Sequence, residues 1–355
     1  MRRLFLFAAL VLTTAWPVVA QRTPTVFEDP ALVQRYQATI TPDELAAHLY
    51  IYASDFFEGR DTGARGQRLA ALYLAGQYQG MGLAPKGTVA AERPGDPRAY
   101  FQPFSLYGGT IETENVLAFV EGSDPALRDE VVVVSAHLDH VGIDPSMEGD
   151  QIHNGADDDG SGTVALLEIA EAFQQAKEAG HGPRRSVLFL HVSGEERGLL
   201  GSAYYADEEP VLPLASTVAN LNIDMIGRAD PTDPEAPDSN YVYIIGAELI
   251  SRDIDDVNTR VNEVTGLGLD LSKRFNSPDD PNQFFARSDH WNFGKHQVPF
   301  IFYFTGTHED YHGVDDEPDR IDYPRLAQRT RLIFGTAWQL ANQDERPAVS
   351  GTGFN

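Results

Sequence analysis

Cysteine is absent from the 355 residues, so no disulfide stabilises the chain and no lipid can be attached through a thiol near its start. Stability must come from a packed core and from any bound ion. Base is scarce too: 27 Lys and Arg stand against 53 Asp and Glu, a formal net charge of −26. A surface of that sign repels nucleic acid and anionic membranes, so neither is an expected partner. The acids are spread along the whole chain, which favours solubility over a dedicated acidic binding face. Beyond residue 20 no apolar run is long enough to cross a bilayer, which takes about 20 residues.

What is present begins with residues 1–20. Arg2 and Arg3 precede an apolar stretch from Leu4 to Trp16, and Val18-Val19-Ala20 supplies small residues before Gln21. That pattern is a secretory signal peptide. A membrane anchor is the competing reading, for which the apolar stretch is short. The expectation is an exported protein, periplasmic or extracellular. Removing the leader takes away Arg2 and Arg3 and no acid, leaving 25 bases against 53 acids, a net of −28.

Residues 21–345 are expected to form one catalytic domain, with 21–110 a mostly helical segment packed on it and 346–355 a flexible tail. Thr41-Pro42-Asp43-Glu44 is a helix start, with Thr41 as cap, Pro42 in the first turn and Glu44 at the capping-box position. Gln67 to Met81 has helical periodicity, and Gly82 to Gly87 ends it. From about residue 101 strands and helices alternate. Strands are expected at Val116–Val120, Val131–Val134, Val187–Val192, Val218–Ile223, Tyr241–Ile245 and Val298–Phe304. Helices are expected at Thr163–Ala176, Leu199–Tyr205, Glu248–Val264 and Pro324–Asn342. The strands are almost continuously apolar, so both sheet faces should be covered. The predicted fold class is α/β: a doubly wound, mixed but mostly parallel sheet flanked by helices. Ligand sites in such sheets lie beyond the carboxyl ends of the strands.

Five short stretches fall there or in loops nearby: His137-Leu138-Asp139, Asp157-Asp158-Asp159-Gly160-Ser161-Gly162, Glu195-Glu196, Asp224 and Tyr311-His312. His137 and Asp139 share a face at a strand end, so Asp139 can fix the ring of His137. His140 competes with His137 as a ligand. Three adjacent carboxylates repel unless cations compensate them, and one carboxylate can bridge two metals roughly 3.5–4 Å apart. Glu195 and Glu196 can divide two jobs, one binding metal and the other taking a proton from water. Asp224, set in apolar sequence, needs a metal or an Arg as partner. His312 alone reads as a surface histidine. Each piece is weak; together, in this order, they point to two divalent ions and a general base.

The series resembles the secreted bacterial leucyl aminopeptidase family, in a clan that also holds glutamate carboxypeptidase-like enzymes and glutaminyl cyclases. The strings that carry the resemblance are Ala136–Gly142, Gly155–Gly162, Gly194–Ser202, Asn222–Gly227, Arg287-Ser288-Asp289-His290 and Asp310-Tyr311-His312, together with Glu58-Gly59-Arg60 near the start. The resemblance implies a single zinc-aminopeptidase catalytic domain holding two zinc ions, with cobalt or manganese as alternatives. It places His137 and Asp224 on one ion, Glu196 and His312 on the other, and Asp158 between them with a cis peptide after it. It makes Glu195 the general base, Asp139 the residue that orients His137, Tyr311 the group that steadies the developing oxyanion, and Arg287 a substrate contact. Many relatives carry Asn at the position of Asp157, so this chain has added negative charge there.

The implied function is an exported aminopeptidase that removes the first residue of peptides with a free amino terminus. The alternatives are a glutaminyl cyclase, against which Tyr311 speaks because cyclases tend to place Trp there, or a carboxypeptidase or dipeptidase. Outside enzymes, a non-catalytic binding ectodomain remains. The side chain preferred at the substrate's first position and the oligomeric state are not readable from the sequence.

Overall fold

The computed structural model describes residues 22–232 and 238–351; the expected leader, residues 233–237 and residues 352–355 lie outside them. A nine-stranded sheet forms the centre. Its strands are β1 (Ala84–Pro85), β2 (Phe101–Leu106), β3 (Ile111–Val120), β4 (Val131–His137), β5 (Ser186–Val192), β6 (Thr217–Ile223), β7 (Tyr241–Ile245), β8 (Asp270–Ser272) and β9 (Phe300–Phe304). They lie in the order β1-β3-β5-β4-β6-β9-β7-β8, with β2 also on β3. The inner four, β5, β4, β6 and β9, run parallel. β3 and β7 flank them antiparallel, and β8 returns parallel to β7. The sheet is therefore mixed around a parallel centre, and all four central strands deliver their carboxyl ends to the same edge.

Strand alternation sorts the core into two faces. Val132, Val134 and Ala136 point into one apolar cluster with the long helices α1 (Pro30–Gln37), α2 (Pro42–Tyr52), α3 (Arg65–Met81), α4 (Gly162–Glu178), α5 (Arg252–Val264) and α6 (Tyr323–Asn342). Val131 and Val133 point the other way, into a smaller cluster with Leu188, Tyr205 and Phe293. α6 is the buried strut of the larger face; Trp338 is fully buried and stacks on Tyr36 and Phe173. Thr41 caps α2 as read: Glu44 N donates to Thr41 Oγ1 at 3.2 Å, and Thr41 Oγ1 donates to Glu44 Oε2 at 2.8 Å.

Several expectations are corrected. Residues 22–110 hold no α-helix past Met81, only a 3₁₀ turn at Pro97–Tyr100; β2 follows and pairs with the first half of β3, which starts at Ile111 rather than Val116. The half-polar strand Phe101–Leu106 hides because Pro103 and Ser105 sit on its exposed face. The helix expected over Glu248–Val264 is two pieces, because Ser251 adopts an extended backbone and caps α5 by accepting from Ile254 N. Only Leu200–Ala203 of Leu199–Tyr205 is regular α-helix. The short strand β8 has no apolar signature and was not anticipated. The tail is not free as far as Gly351: Arg346 donates to Ala215 O and Thr217 O, and Ser350 N and Gly351 N both donate to Ile250 O.

One buried acid lies far from the sheet's carboxyl edge. Glu168 of α4 is 2% exposed, with His48 Nε2 3.5 Å away. Burial, with Glu44 and Glu171 nearby, raises its pKa from the ordinary 4.5 to about 8. A carboxyl raised by folding contributes stability that is complete below pH 4.5 and lost as pH climbs through about 8. Glu168→Gln should therefore leave the melting temperature near pH 5 unchanged. At pH 9 it should raise it by about 2–4 °C per kcal/mol recovered, read by thermal denaturation at both pH values.

Candidate active site

The parallel centre of the sheet gathers the chemistry. His137 is the last residue of β4, Asp224 the first after β6, and Glu195 and Glu196 follow β5 in the next turn. The loop after β9 brings Tyr311 and His312, and the turn Ala156–Ser161 leading into α4 brings Asp158. Asp158 stands between two groups. Its Oδ1 faces His137 Nε2 at 3.2 Å, and that nitrogen is 3.7 Å from Asp224 Oδ1. Its Oδ2 faces His312 Nε2 at 3.0 Å, which in turn is 3.2 Å from Glu196 Oε2. All five expected ligand residues are thus brought together, each half offering a histidine and a carboxylate on one oxygen of Asp158. His140 is at the Glu196 end, not beside His137: its Nδ1 lies 2.9 Å from Glu196 Oε1 and 3.8 Å from Asp158 Oδ2.

The supports are mostly main chain. Asp159 accepts from His137 N, Gly162 N and Met225 N, which ties β4, α4 and the end of β6 into one corner. The Asp158–Asp159 bond is cis, as the resemblance implied. Asp316 accepts from the amides of Asp157 and Asp158 at 3.1 Å. Asp157, the extra negative charge, accepts from Gly227 N and has His308 Nε2 3.3 Å from its Oδ2. Ser288 Oγ donates to Asp224 Oδ2 at 2.6 Å and is itself held by Asn222 Nδ2, so Oδ1 is left for the His137 side. Asp139 meets the His137 ring chiefly through its main chain. Its main-chain oxygen, 3.1 Å from His137 Nδ1, faces the ring; its carboxylate is 3.9 Å away. That carboxylate instead accepts from Thr62 Oγ1 and from Glu195 N, so it positions the backbone of Glu195.

Arg60 is the support that sequence reasoning passed over. It is 1% exposed, and its guanidinium donates to Leu138 O at 3.2 Å, Asn154 O at 2.6 Å and Gly155 O at 2.9 Å. It lies over the ring of Tyr52. A partner set made of carbonyls leaves no trace in residue identities, so only the string Glu58-Gly59-Arg60 hinted at it.

The electrostatics show what the cluster lacks. Burial opposes charge on His137, yet Glu195, Asp158 and Asp224 outweigh it and push the pKa well above the ordinary value. Burial likewise opposes charge on His312, and Asp158 and Glu196 raise it to about 10. Glu195 is raised well above the usual carboxyl range by burial, with Asp224, Asp289 and Glu196 adding to the rise. With no ion between them, the carboxylates favour the charged form of both histidines. Asp158 Oδ2 is buried without an aligned hydrogen-bond donor, although His312 Nε2 is 3.0 Å from it. An orphaned anionic oxygen between histidine and carboxylate donors fits a divalent ion on each side of Asp158.

A pocket opens beside these groups. Met225, Phe284, Phe302 and Phe304 form its apolar lining, and Arg287, Thr307 and Tyr311 line it with Glu195. The alternation of β9 explains the wall: Phe302 and Phe304 face this aromatic cluster, while Ile301 and Tyr303 face the helices. Arg287 is exposed with its guanidinium 5.0 Å from the Phe284 ring centre, and Tyr311 stacks on His312 at 4.0 Å.

The sequence signature of peptidase family M28 matches residues 115–337, more than half of the chain and the whole of the site except the supports Arg60 and Thr62. The chain belongs to peptidase family M28. Among curated proteins this M28 chain is similar to leucine aminopeptidase 2 of Arthroderma otae, 26% identical over 262 residues that cover 68% of this chain and 48% of that one. The chain spans about half the length of the curated relatives it matches. Among solved structures it shares its fold with the LapA aminopeptidase of Legionella pneumophila, at TM-score 0.65 and 18% identity over 92% of this chain and 79% of that one. It shares it also with BSAP, a zinc aminopeptidase from Bacillus subtilis, at TM-score 0.59 and 17% identity over 83% and 94% of the two chains.

Removing the Arg60 guanidinium leaves buried carbonyls unpaired in the loop that carries Asp158, at about 1–3 kcal/mol for each polar group stranded. Arg60→Met should lower the stability of the chelated protein by at least about 2 kcal/mol in denaturant titration. Unchanged stability would mean that water takes over its carbonyls.

Proposed function

We propose that this M28 chain is an exported two-zinc aminopeptidase that removes the first residue from peptides with a free amino terminus. The observation that carries the reading is the placement of Asp158: one oxygen faces His137 and Asp224, the other faces His312 and Glu196, and Glu195 lines the adjoining pocket. His137 and Asp224 would hold one ion, Glu196 and His312 the second, with Asp158 shared. Bound zinc supplies Lewis acidity toward the scissile carbonyl and toward water, and a donor set this rich in carboxylate accepts cobalt or manganese as well.

The chain's own groups do the rest. Glu195 is half-buried and lines the pocket beside His137, Asp158 and Asp224, where it can take a proton from water and pass it to the leaving amine. The Asp139 carboxylate fixes the Glu195 amide and so sets the direction of that side chain. Tyr311 keeps its proton, because burial and then Asp158, Asp224 and Glu196 all raise its pKa, and it is available as a donor to a developing oxyanion. Met225, Phe284, Phe302 and Phe304 offer an apolar seat for the first side chain, and Arg287 beside them contacts the substrate. Export rests on the composition of residues 1–20.

Glu195→Gln should retain about two zinc per chain and lower kcat by at least roughly 10²–10⁴, the range for a lost general base. Elemental analysis and turnover of aminoacyl-anilides check both halves. The apolar seat should favour leucine and phenylalanine anilides over aspartate and lysine ones by roughly 10-fold or more in kcat/KM. Cyclisation of amino-terminal glutamine with a single ion per chain would contradict the aminopeptidase reading.

A further inference from the structure

One group at the site has no part in the chemistry described so far. His140 is fully buried and follows directly on the His137-Leu138-Asp139 run. Its amide donates to Arg60 O, and it pairs in a one-residue bridge with Asp61, so its backbone is fixed by the Arg60 segment. The ring lies against Gly155, where an added Cβ would come within 2.5 Å of His140 Cδ2 and 2.3 Å of Asp158 O. Gly155 also has φ +55°, so two demands for glycine coincide at the residue that makes room for this ring. Space for an imidazole has been built into the loop.

The two ring nitrogens differ sharply. Nδ1 is 2.9 Å from Glu196 Oε1, whereas Nε2 is buried and touches no hydrogen-bonding group. A histidine that ligates a metal almost always donates its second N–H to a partner. His137 obeys that pattern, with Nε2 toward Asp158 and Asp224 and Nδ1 on Asp139 O. His140 does not. Were Nδ1 to present a lone pair to an ion, the proton would sit on Nε2 as an orphaned donor inside the protein, which is rarely tolerated. With the proton on Nδ1, the ring donates to Glu196 Oε1 and leaves only an unpaired acceptor at Nε2.

We propose that His140 is a positioning residue for the second ion: its Nδ1–H holds Glu196 Oε1, so that Oε2, the oxygen facing His312, is the one offered to the metal. Glu196 is thereby kept to one oxygen, and the coordination position a second oxygen would take stays open for substrate. This rests on the two-zinc reading above.

The test compares the parent chain with His140→Ala and His140→Asn. An Asn amide nitrogen occupies roughly the place of Nδ1 and donates a hydrogen bond, but it is a poor metal ligand. Each protein is stripped with chelator and its melting temperature taken, then titrated with zinc in competition with a chromophoric chelator and with cobalt by visible absorption. Two ions are expected in the parent. In His140→Ala one of the two should bind about 10–100-fold more weakly, the usual loss for an outer-shell partner, with altered cobalt bands. His140→Asn should restore both, and the weakening in His140→Ala should be confined to one ion even where the cavity left by the ring lowers the melting temperature of the stripped protein. Equal affinities in parent and His140→Ala would overturn the proposal. Loss of the second ion in both variants would overturn it too, making the imidazole a ligand. A parallel fall of both ions and of the stripped melting temperature would reduce His140 to packing. A parent that takes up fewer than two ions would bring down the two-zinc reading itself, and this inference with it.

Discussion

Negative charge that the protein itself cannot neutralise is the constraint on which the site depends. Asp158, Asp224, Glu195, Glu196 and the flanking Asp139 and Asp289 converge where the central strands end, and Asp139 and Asp289 are wholly buried. Burying unpaired carboxylates costs several kcal/mol apiece. Thr62 and the Glu195 amide meet Asp139, and Ser202 meets Asp289, while Asp158, Asp224 and Glu196 have only the rings of His137 and His312 close by. The nearest buried guanidinium, Arg60, is spent on carbonyls of the same loops. In the two-zinc reading proposed above, a pair of divalent ions would settle the remainder, so that affinity for metal and stability of this corner become two views of one quantity.

The fold supplies rigidity in proportion to that strain. Four parallel strands, apolar on both faces, fix the origins of His137, Glu195, Asp224 and the His312 loop relative to one another. His137, Asp224, Glu195 and Glu196 sit within a few residues of a strand end, and the supports around them, Ser288, Asp139 and Asp159, are short side chains with few rotamers. The pocket wall is likewise part of the sheet, since Phe302 and Phe304 belong to β9. Chemistry and specificity therefore share one scaffold.

Much of this was legible beforehand, for a physical reason. Apolar β-branched runs such as Val131–Val134 and Val187–Val192 declare buried strands, and acids or histidines just past such runs are costly enough to demand an explanation. His137, Glu195, Glu196 and Asp224 were visible on those grounds, and the Asp157–Asp159 triplet because adjacent carboxylates repel, with Asp158 picked out of it by the resemblance. His312 was not, because its segment is polar and only the resemblance marked it. Strands β2 and β8 were missed because half-exposed or very short strands carry no apolar signature, and the break at Ser251 because one extended residue inside an amphipathic pattern leaves the pattern intact. Least readable were Arg60, Thr62 and the carbonyl of Asp139: their roles consist of contacts with backbone or with residues distant in sequence, which residue identity does not encode.

The most direct test of the central claim is a zinc-edge anomalous diffraction map of the metal-loaded protein. The account predicts two peaks sharing Asp158, one held by His137 and Asp224, the other by His312 and one oxygen of Glu196. A single peak, no peak, or a second ion bonded to His140 in place of His312 would contradict it.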